Sequence, residues 1–181
     1  MNNLKKLYQE EVRAYLQKEY SYSNPHQIPK IEKIQISAGL GLNAQNKNYL
    51  QRAIEEVRQI SGQQPIVTKA KKSVAGFKIR EGMPLGLVVT LRKEKMYSFL
   101  EKTTKLVFPR IRDFRGLNPN QFDKYGNYHF GITDQLVFPE IDYDNVEQKR
   151  GFNISIITTA KNKDEGYSLL KALGFPFSHS I

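Results

Sequence analysis

The chain has 181 residues, 39% hydrophobic and 25% charged, with a formal net charge of +10 at pH 7. That length and balance suit one folded domain with a sizeable core and argue against wholesale disorder. The lack of cysteine excludes disulfides and thiolate metal sites, and no run approaches the roughly 18 apolar residues of a membrane-spanning helix. The N-terminal stretch is too acidic for a secretory signal or transit peptide.

Leu4, Leu7, Tyr8, Val12, Tyr15, Leu16 and Tyr20 recur at steps of three and four and predict a first helix. Asn2 or Asn3 caps it, and Ser23-Asn24-Pro25 ends it. Ile34 and Ile36 alternate with Gln35 and Ser37, as in a half-buried strand, which breaks at Ala38-Gly39-Leu40-Gly41. A second helix covers about 48–61, with Leu50, Ile54, Val57 and Ile60 inward and Gly62 just past its end. Pro65 to Thr68 begins a short strand, and Leu85 to Arg92 is a β-rich run with Thr90 and Arg92 on one face. Glu94 to Phe108 predicts a third helix with Met96, Phe99, Leu100, Thr103, Leu106 and Val107 inward, stopped by Pro109. Residues 110–127 are irregular, and Phe130, Ile132, Leu136, Phe138 and Ile141 are apolar without a clear period. Phe152 to Ile157 is a further strand. A capping box at Asn162 to Glu165 opens the last helix, with Leu169, Leu170 and Leu173 inward and Gly174 at its end.

Helices and strands mix without regular β-α-β alternation. This predicts an α+β domain with helices on one sheet face. The other face is then open and lined by Gln35, Ser37, Thr68, Thr90 and Arg92. The reading is a single domain over 1–181 with one long basic loop at 70–84.

The charge is concentrated. Residues 66–115 hold 13 Lys and Arg against 4 Asp and Glu, whereas 116–181 hold 6 against 8. The densest part, Thr68 to Pro84, carries Lys69, Lys71, Lys72, Lys78 and Arg80 against Glu81 alone. Unbalanced cations interleaved with Val74, Ala75, Gly76, Phe77 and Ile79 fit a polyanion better than a solvated face. RNA is favoured over DNA because no helix-turn-helix, zinc-finger or zipper pattern is present. Arg110, Arg112 and Arg115 form a second basic cluster, and Asp134 to Glu147 holds five acids and no base. No catalytic set emerges. His26, His129 and His179 lie in unrelated segments, so no metal or cofactor is expected. Ser73 beside Lys72 sits in a lysine run, which suits phosphate contact. Gly39-Leu40-Gly41 lacks the third glycine of a dinucleotide loop, with Ala44 in its place.

Four blocks carry a resemblance: Ile66 to Ala70, Lys72 to Arg80, Pro109 to Leu117 and Phe138 to Asp144. Together they resemble the bacterial-type large-subunit ribosomal protein five family, in family order from Leu4 to Phe177. Arg80 to Pro84 and Ala172 to Phe177 resemble its cyanobacterial and plastid branch. The resemblance implies an antiparallel sheet backed by helices and a structural role, not an enzymatic one. It implies 5S ribosomal RNA on the open sheet face, in the central protuberance of the large subunit. Ser37, Gln63, Gln64, Thr68, Thr90 and Arg92 are the expected RNA contacts, with Ser37 departing from the family's more usual Asn. The loop residues Lys71, Lys72, Ser73, Val74, Ala75, Gly76, Phe77, Lys78 and Arg80 are expected to reach tRNA in the peptidyl site. Arg110, Arg112, Arg115, Glu140, Asp142 and Asp144 are the candidates for a bridge to a small-subunit head protein. Large-subunit rRNA and neighbouring large-subunit proteins complete the implied partners, with no membrane. The implied place is the plastid stroma, with the bacterial cytoplasm or mitochondrion as alternatives. A general RNA-binding or RNA-processing protein without 5S specificity is the alternative function. Lys93 stands where the family often has Gly.

Overall fold

The computed structural model describes residues 3–143, 146 and 148–178. Among them are helices α1 (Asn3–Leu7), α2 (Arg13–Tyr20), α3 (Lys47–Ser61), α4 (Lys93–Lys102) and α5 (Lys163–Ala172). The strands are β1 (Ile31–Gly39), β2 (Ile66–Lys69), β3 (Pro84–Leu91), β4 (Tyr128–Ile132) and β5 (Phe152–Thr158). They form one open antiparallel sheet in the order β2-β3-β1-β5-β4, so the α+β expectation holds. The chain divides into two compact units, each assembled from separated segments.

The first unit takes Met1–Ile34, Arg92–Phe130 and Ser155–Ile181. Leu4, Tyr8, Val12 and Leu16 are its buried stripe, at a strict four-residue spacing. Such a spacing drifts about 40° per step around an α-helix. A π-helical turn at Tyr8–Val12, between α1 and α2, holds more residues per turn and takes up that drift. Tyr15, expected inward, is 51% exposed, because it lies off this four-residue line. The Tyr8 hydroxyl donates to the Pro29 carbonyl at 3.0 Å. Burial pushes the Tyr8 phenol up to about 12. Asn2, an expected cap, lies outside the described residues.

α4 also passes into a π-helical turn, Thr103–Val107, and then a 3-10 turn, Phe108–Arg110. The Thr103 hydroxyl donates to the Phe99 carbonyl at 2.8 Å and that of Thr104 to Leu100 at 3.0 Å. Hydroxyls bonding back in this way loosen the helical ladder. The wider turn rotates the face, so Leu106 is 49% exposed instead of inward, while Thr103 and Val107 stay buried. Phe108 stacks on Phe114 at 5.2 Å and meets Phe130 and Phe175 edge-on. The expected capping box of α5 is replaced by a bond one residue earlier. Asn162 makes no side-chain cap bond, while Glu165 accepts from the Lys161 backbone N–H at 2.9 Å.

Lys93 begins α4 at φ 53°, a left-handed conformation that costs a side-chain-bearing residue about 1 kcal/mol. Glycine pays no such penalty. Lys93→Gly is therefore expected to raise unfolding stability by about 0.5 kcal/mol once the entropy of glycine is offset. Urea midpoints of the two proteins check this, and a lower midpoint for the glycine variant would contradict it.

β4 was not legible as a strand, yet Tyr128, Phe130 and Ile132 are buried while His129 and Gly131 are exposed. That is the two-residue alternation of a half-buried strand.

The second unit takes Gln35–Leu91 and Gly131–Ile154. Asn46 caps α3 by accepting from the Asn48 N–H at 3.0 Å. Gly62 ends it at φ 65°, its N–H donating to the Arg58 carbonyl at 2.8 Å. Ile36, Ala38, Val57, Ile60, Leu87, Val89, Phe138 and Phe152 are buried in the core. Beside them lies an unannounced polar cluster. Arg150 has a side chain only 5% exposed, with Nη1 2.5 Å from Glu56 Oε2 and its guanidinium 4.2 Å from the Tyr49 ring centroid. Arg150 and Glu56 are thus an ion pair, and neither Nη1 nor Nε makes a hydrogen bond among the described residues. Gln135, fully buried, accepts from the Arg150 N–H at 2.5 Å and donates to the Gln148 carbonyl at 2.7 Å.

Candidate nucleic-acid interface

Strand pleating sets the polar face of the second unit. Leu87, Val89 and Leu91 of β3 are buried, so Val88 and Thr90 project the other way. Register pairs Ile66 with Val88 and Thr68 with Gly86, which puts Ile66 and Thr68 on the face of Thr90. In β1, Ile34, Ile36 and Ala38 are buried, which turns Gln35 and Ser37 outward. Ser37, Thr90 and Thr68 thus stand on three successive strands, β1, β3 and β2. Gly86 lets these strands close up: a Cβ there would lie 2.7 Å from the Ala38 carbonyl oxygen and 3.1 Å from Thr68 Oγ1. Ile66, 72% exposed, adds an apolar patch to the polar row.

Gln63 also makes bonds within the protein. Its side-chain amide donates to the Thr90 carbonyl at 3.1 Å, and its own N–H bonds Ser61 Oγ at 3.2 Å. It therefore ties down the main chain that carries Thr90 and keeps its amide oxygen and its second amide N–H for a partner. Gln64 beside it is exposed. Ser37 Oγ reaches the Asn153 carbonyl only at 3.5 Å, a marginal bond that leaves the hydroxyl available. Arg92 belongs to the first unit, where it pairs with Glu32 at 3.6 Å.

β2 and β3 are joined by a segment folded back on itself. Ala70 and Met83 are bonded N–H to carbonyl at 2.8 Å, and Val74 bridges to Ile79. The Ser73 hydroxyl accepts from the Glu81 N–H at 2.9 Å. Lys71 to Lys78 are all exposed, Phe77 at 71%. Among the described residues no carboxylate pairs with Lys69, Lys71, Lys72, Lys78 or Arg80. Uncompensated cations beside an exposed aromatic ring can attract phosphate and stack on a base.

The expected bridge residues divide. Arg110, Arg112 and Arg115 are exposed in the first unit, Glu140 and Asp142 are exposed in the second, and Asp144 lies outside the described residues.

One polar cluster in the first unit was not foreseen. His129 Nδ1 lies 2.9 Å from Ser155 Oγ, and its Nε2 4.0 Å from Asp123 Oδ2. Asp123 in turn accepts from the Tyr125 N–H at 2.9 Å and from Asn127 through N–H and side chain at 2.8 and 2.7 Å. The serine sits on Nδ1 and the acid nearest Nε2, the reverse of a hydrolytic triad. Among the described residues no group of three His, Asp or Glu could hold a metal ion.

Burial would raise the Asp123 carboxyl, but the Asn127 and Tyr125 hydrogen bonds and nearby His129 outweigh it and hold it below the ordinary range. A carboxyl depressed in the folded state stabilises above its unfolded pKa of about 3.9, and that stability is lost as pH falls through the folded value. Asp123→Asn should therefore lose less stability than the parent between pH 5 and pH 3 in urea titrations. Parallel losses would show that Asp123 contributes nothing to the acid limb.

Residues 24–80 match the family described as ribosomal protein L5, and residues 84–177 match the description of that ribosomal family's C-terminus. The chain is 60% identical over 174 residues to large ribosomal subunit protein uL5c of Heterosigma akashiwo, covering 96% of each. It is 57% identical over 177 residues to uL5c of Pyropia yezoensis, covering 98% of each. To large ribosomal subunit protein uL5 of Synechocystis it is 55% identical over 174 residues, 96% of this chain and 97% of the relative.

Proposed function

The chain belongs to the ribosomal protein L5 family, and on that premise we propose that it binds 5S ribosomal RNA as a structural constituent of the large ribosomal subunit. Its part is to position RNA, without catalysis. The observation that carries the reading is the row of Ser37, Thr90 and Thr68 on adjacent strands, beside cations with no carboxylate partner among the described residues. Uncharged hydroxyls and amides read bases and 2′-hydroxyls, while lysine and arginine supply sequence-independent attraction to phosphate. In this reading Ser37, Gln64, Thr68, Thr90 and Arg92 touch the 5S RNA, and Gln63 acts by positioning Thr90.

The proposal extends to the expected partners. The segment from Lys71 to Arg80 reaches tRNA in the peptidyl site. Arg110, Arg112 and Arg115, together with Glu140, Asp142 and Asp144, serve the contact with a small-subunit head protein. Large-subunit rRNA and neighbouring large-subunit proteins surround the rest. The chain acts as one ribosomal domain, since neither unit is a continuous piece of sequence. Algal uL5c relatives at 57–60% identity support a plastid ribosome as its place, and the cyanobacterial relative agrees with that lineage.

Filter-binding titrations at about 0.15 M salt with 5S RNA, tRNA and a length-matched unrelated RNA test the reading. The parent is expected to prefer 5S RNA. Thr90→Ala, which removes one hydroxyl contact, should weaken that RNA alone by up to about tenfold. Equal binding of all three RNAs would reduce the protein to a general polyanion binder.

A further inference from the structure

A cleft of about 850 Å³ lies in the second unit, between the 3-10 turn Gly41–Gln45 and the segment joining β2 to β3. Its walls include Leu42, Ile79 and Met83, and its polar groups are Gln45 and Ser73. Lys78 and Arg80 also line it. Resting on the RNA-binding reading above, we propose that this cleft takes one unstacked nucleotide of a bound RNA.

The chemistry is that of a base pocket. Apolar walls with a few placed polar groups suit a flat, edge-polar ligand. The Gln45 side-chain amide nitrogen lies 3.8 Å from Met83 Sδ, which steadies the amide and leaves its oxygen to accept from a base edge. Ser73 Oγ accepts from the Glu81 N–H at 2.9 Å and keeps its own proton to donate. A donor and an acceptor on fixed main chain match the Watson–Crick edge of a splayed base. Met83 Sδ also accepts from the Arg80 N–H at 3.1 Å, which ties that wall to the residue bearing the guanidinium. Lys78 and Arg80, with no carboxylate partner among the described residues, supply the charge for the nucleotide's phosphate. The charge decides for a nucleotide over an apolar peptide.

Two RNA hairpins of one sequence, one with a single bulged adenosine and one fully paired, test the proposal in titrations at about 0.15 M salt. The parent protein is expected to prefer the bulged hairpin by at least about tenfold, the worth of one recognised base. In the double variant Leu42→Glu, Gln45→Ala, whose side chains are exposed and not part of the core, the ratio should fall to near one. Lys78→Ala should weaken both hairpins together. A parent ratio near one overturns the proposal, as does a ratio the double variant leaves unchanged. Displacement of the bulged hairpin by equimolar adenosine monophosphate overturns it too, since the cleft would then serve a free nucleotide. The 5S titration depends on other side chains: a bulge ratio of one with 5S preference intact sinks only this inference, and the reverse sinks only the earlier one.

Discussion

Replacing Lys71, Lys72, Lys78 and Arg80 together by alanine is expected to weaken tRNA binding on the order of 1,000-fold at about 0.15 M salt. Each cation that neutralises a phosphate releases a counterion, and at this salt each is worth roughly 1 kcal/mol. The same account fixes a second readout. With about 5 phosphate contacts the slope of log affinity against log salt is roughly −3.5 to −4.5, and the variant's slope should be shallower by about 3. The folded core should be untouched, because all four side chains lie outside it and none pairs with an acid among the described residues. Unchanged slope with lowered affinity would mean that the segment acts by shape and not by charge.

Arg150→Ala is expected to cost about 3 to 5 kcal/mol of unfolding free energy. The loss comes less from the missing attraction than from what remains. Glu56, its side chain only 13% exposed, would keep a carboxylate without its cation. In the folded protein burial opposes the charged guanidinium, while Tyr49 and Glu56 favour it and together hold it above its ordinary range. Urea unfolding checks the size. Arg150→Met combined with Glu56→Leu should recover more than half of the loss, since two apolar groups of similar volume leave no buried charge behind. If the double variant is no better than Arg150→Ala, packing against the Tyr49 ring and not electrostatics holds this cluster.

The elements that were legible in the sequence are those whose cause is local. The stripes of α3 and α5 and the alternation of β1 lie within a few residues, and so does the cation density between β2 and β3. What escaped depends on distance or on small departures from ideal geometry. Glu56 and Arg150 lie on segments far apart in the chain, and nothing near either announces the other. Leu106 fits a 3.6-residue helix and is turned out by a π-helical turn that Thr103 and Thr104 help to open. β4 could have been found, because Tyr128 to Ile132 alternates, but five residues containing His129 and Gly131 give a weak signal. Gln63 was expected as a contact from the resemblance, and its bond to the Thr90 carbonyl joins residues too far apart in the chain to be read from the sequence. The His129, Ser155 and Asp123 cluster likewise needs strand pairing to assemble.

The interleaved course of the chain also sets a clock on the ribosome that makes it. The first unit needs its third segment, beginning at Ser155, and the central strand β1 must wait for β5 to cover its second edge. Pairings of such wide sequence separation close late and slowly, because loop entropy is spent before contacts repay it. Until Phe152–Thr158 has been made and paired, the nascent protein therefore carries an unpaired strand edge and a net-positive middle, a form prone to promiscuous association.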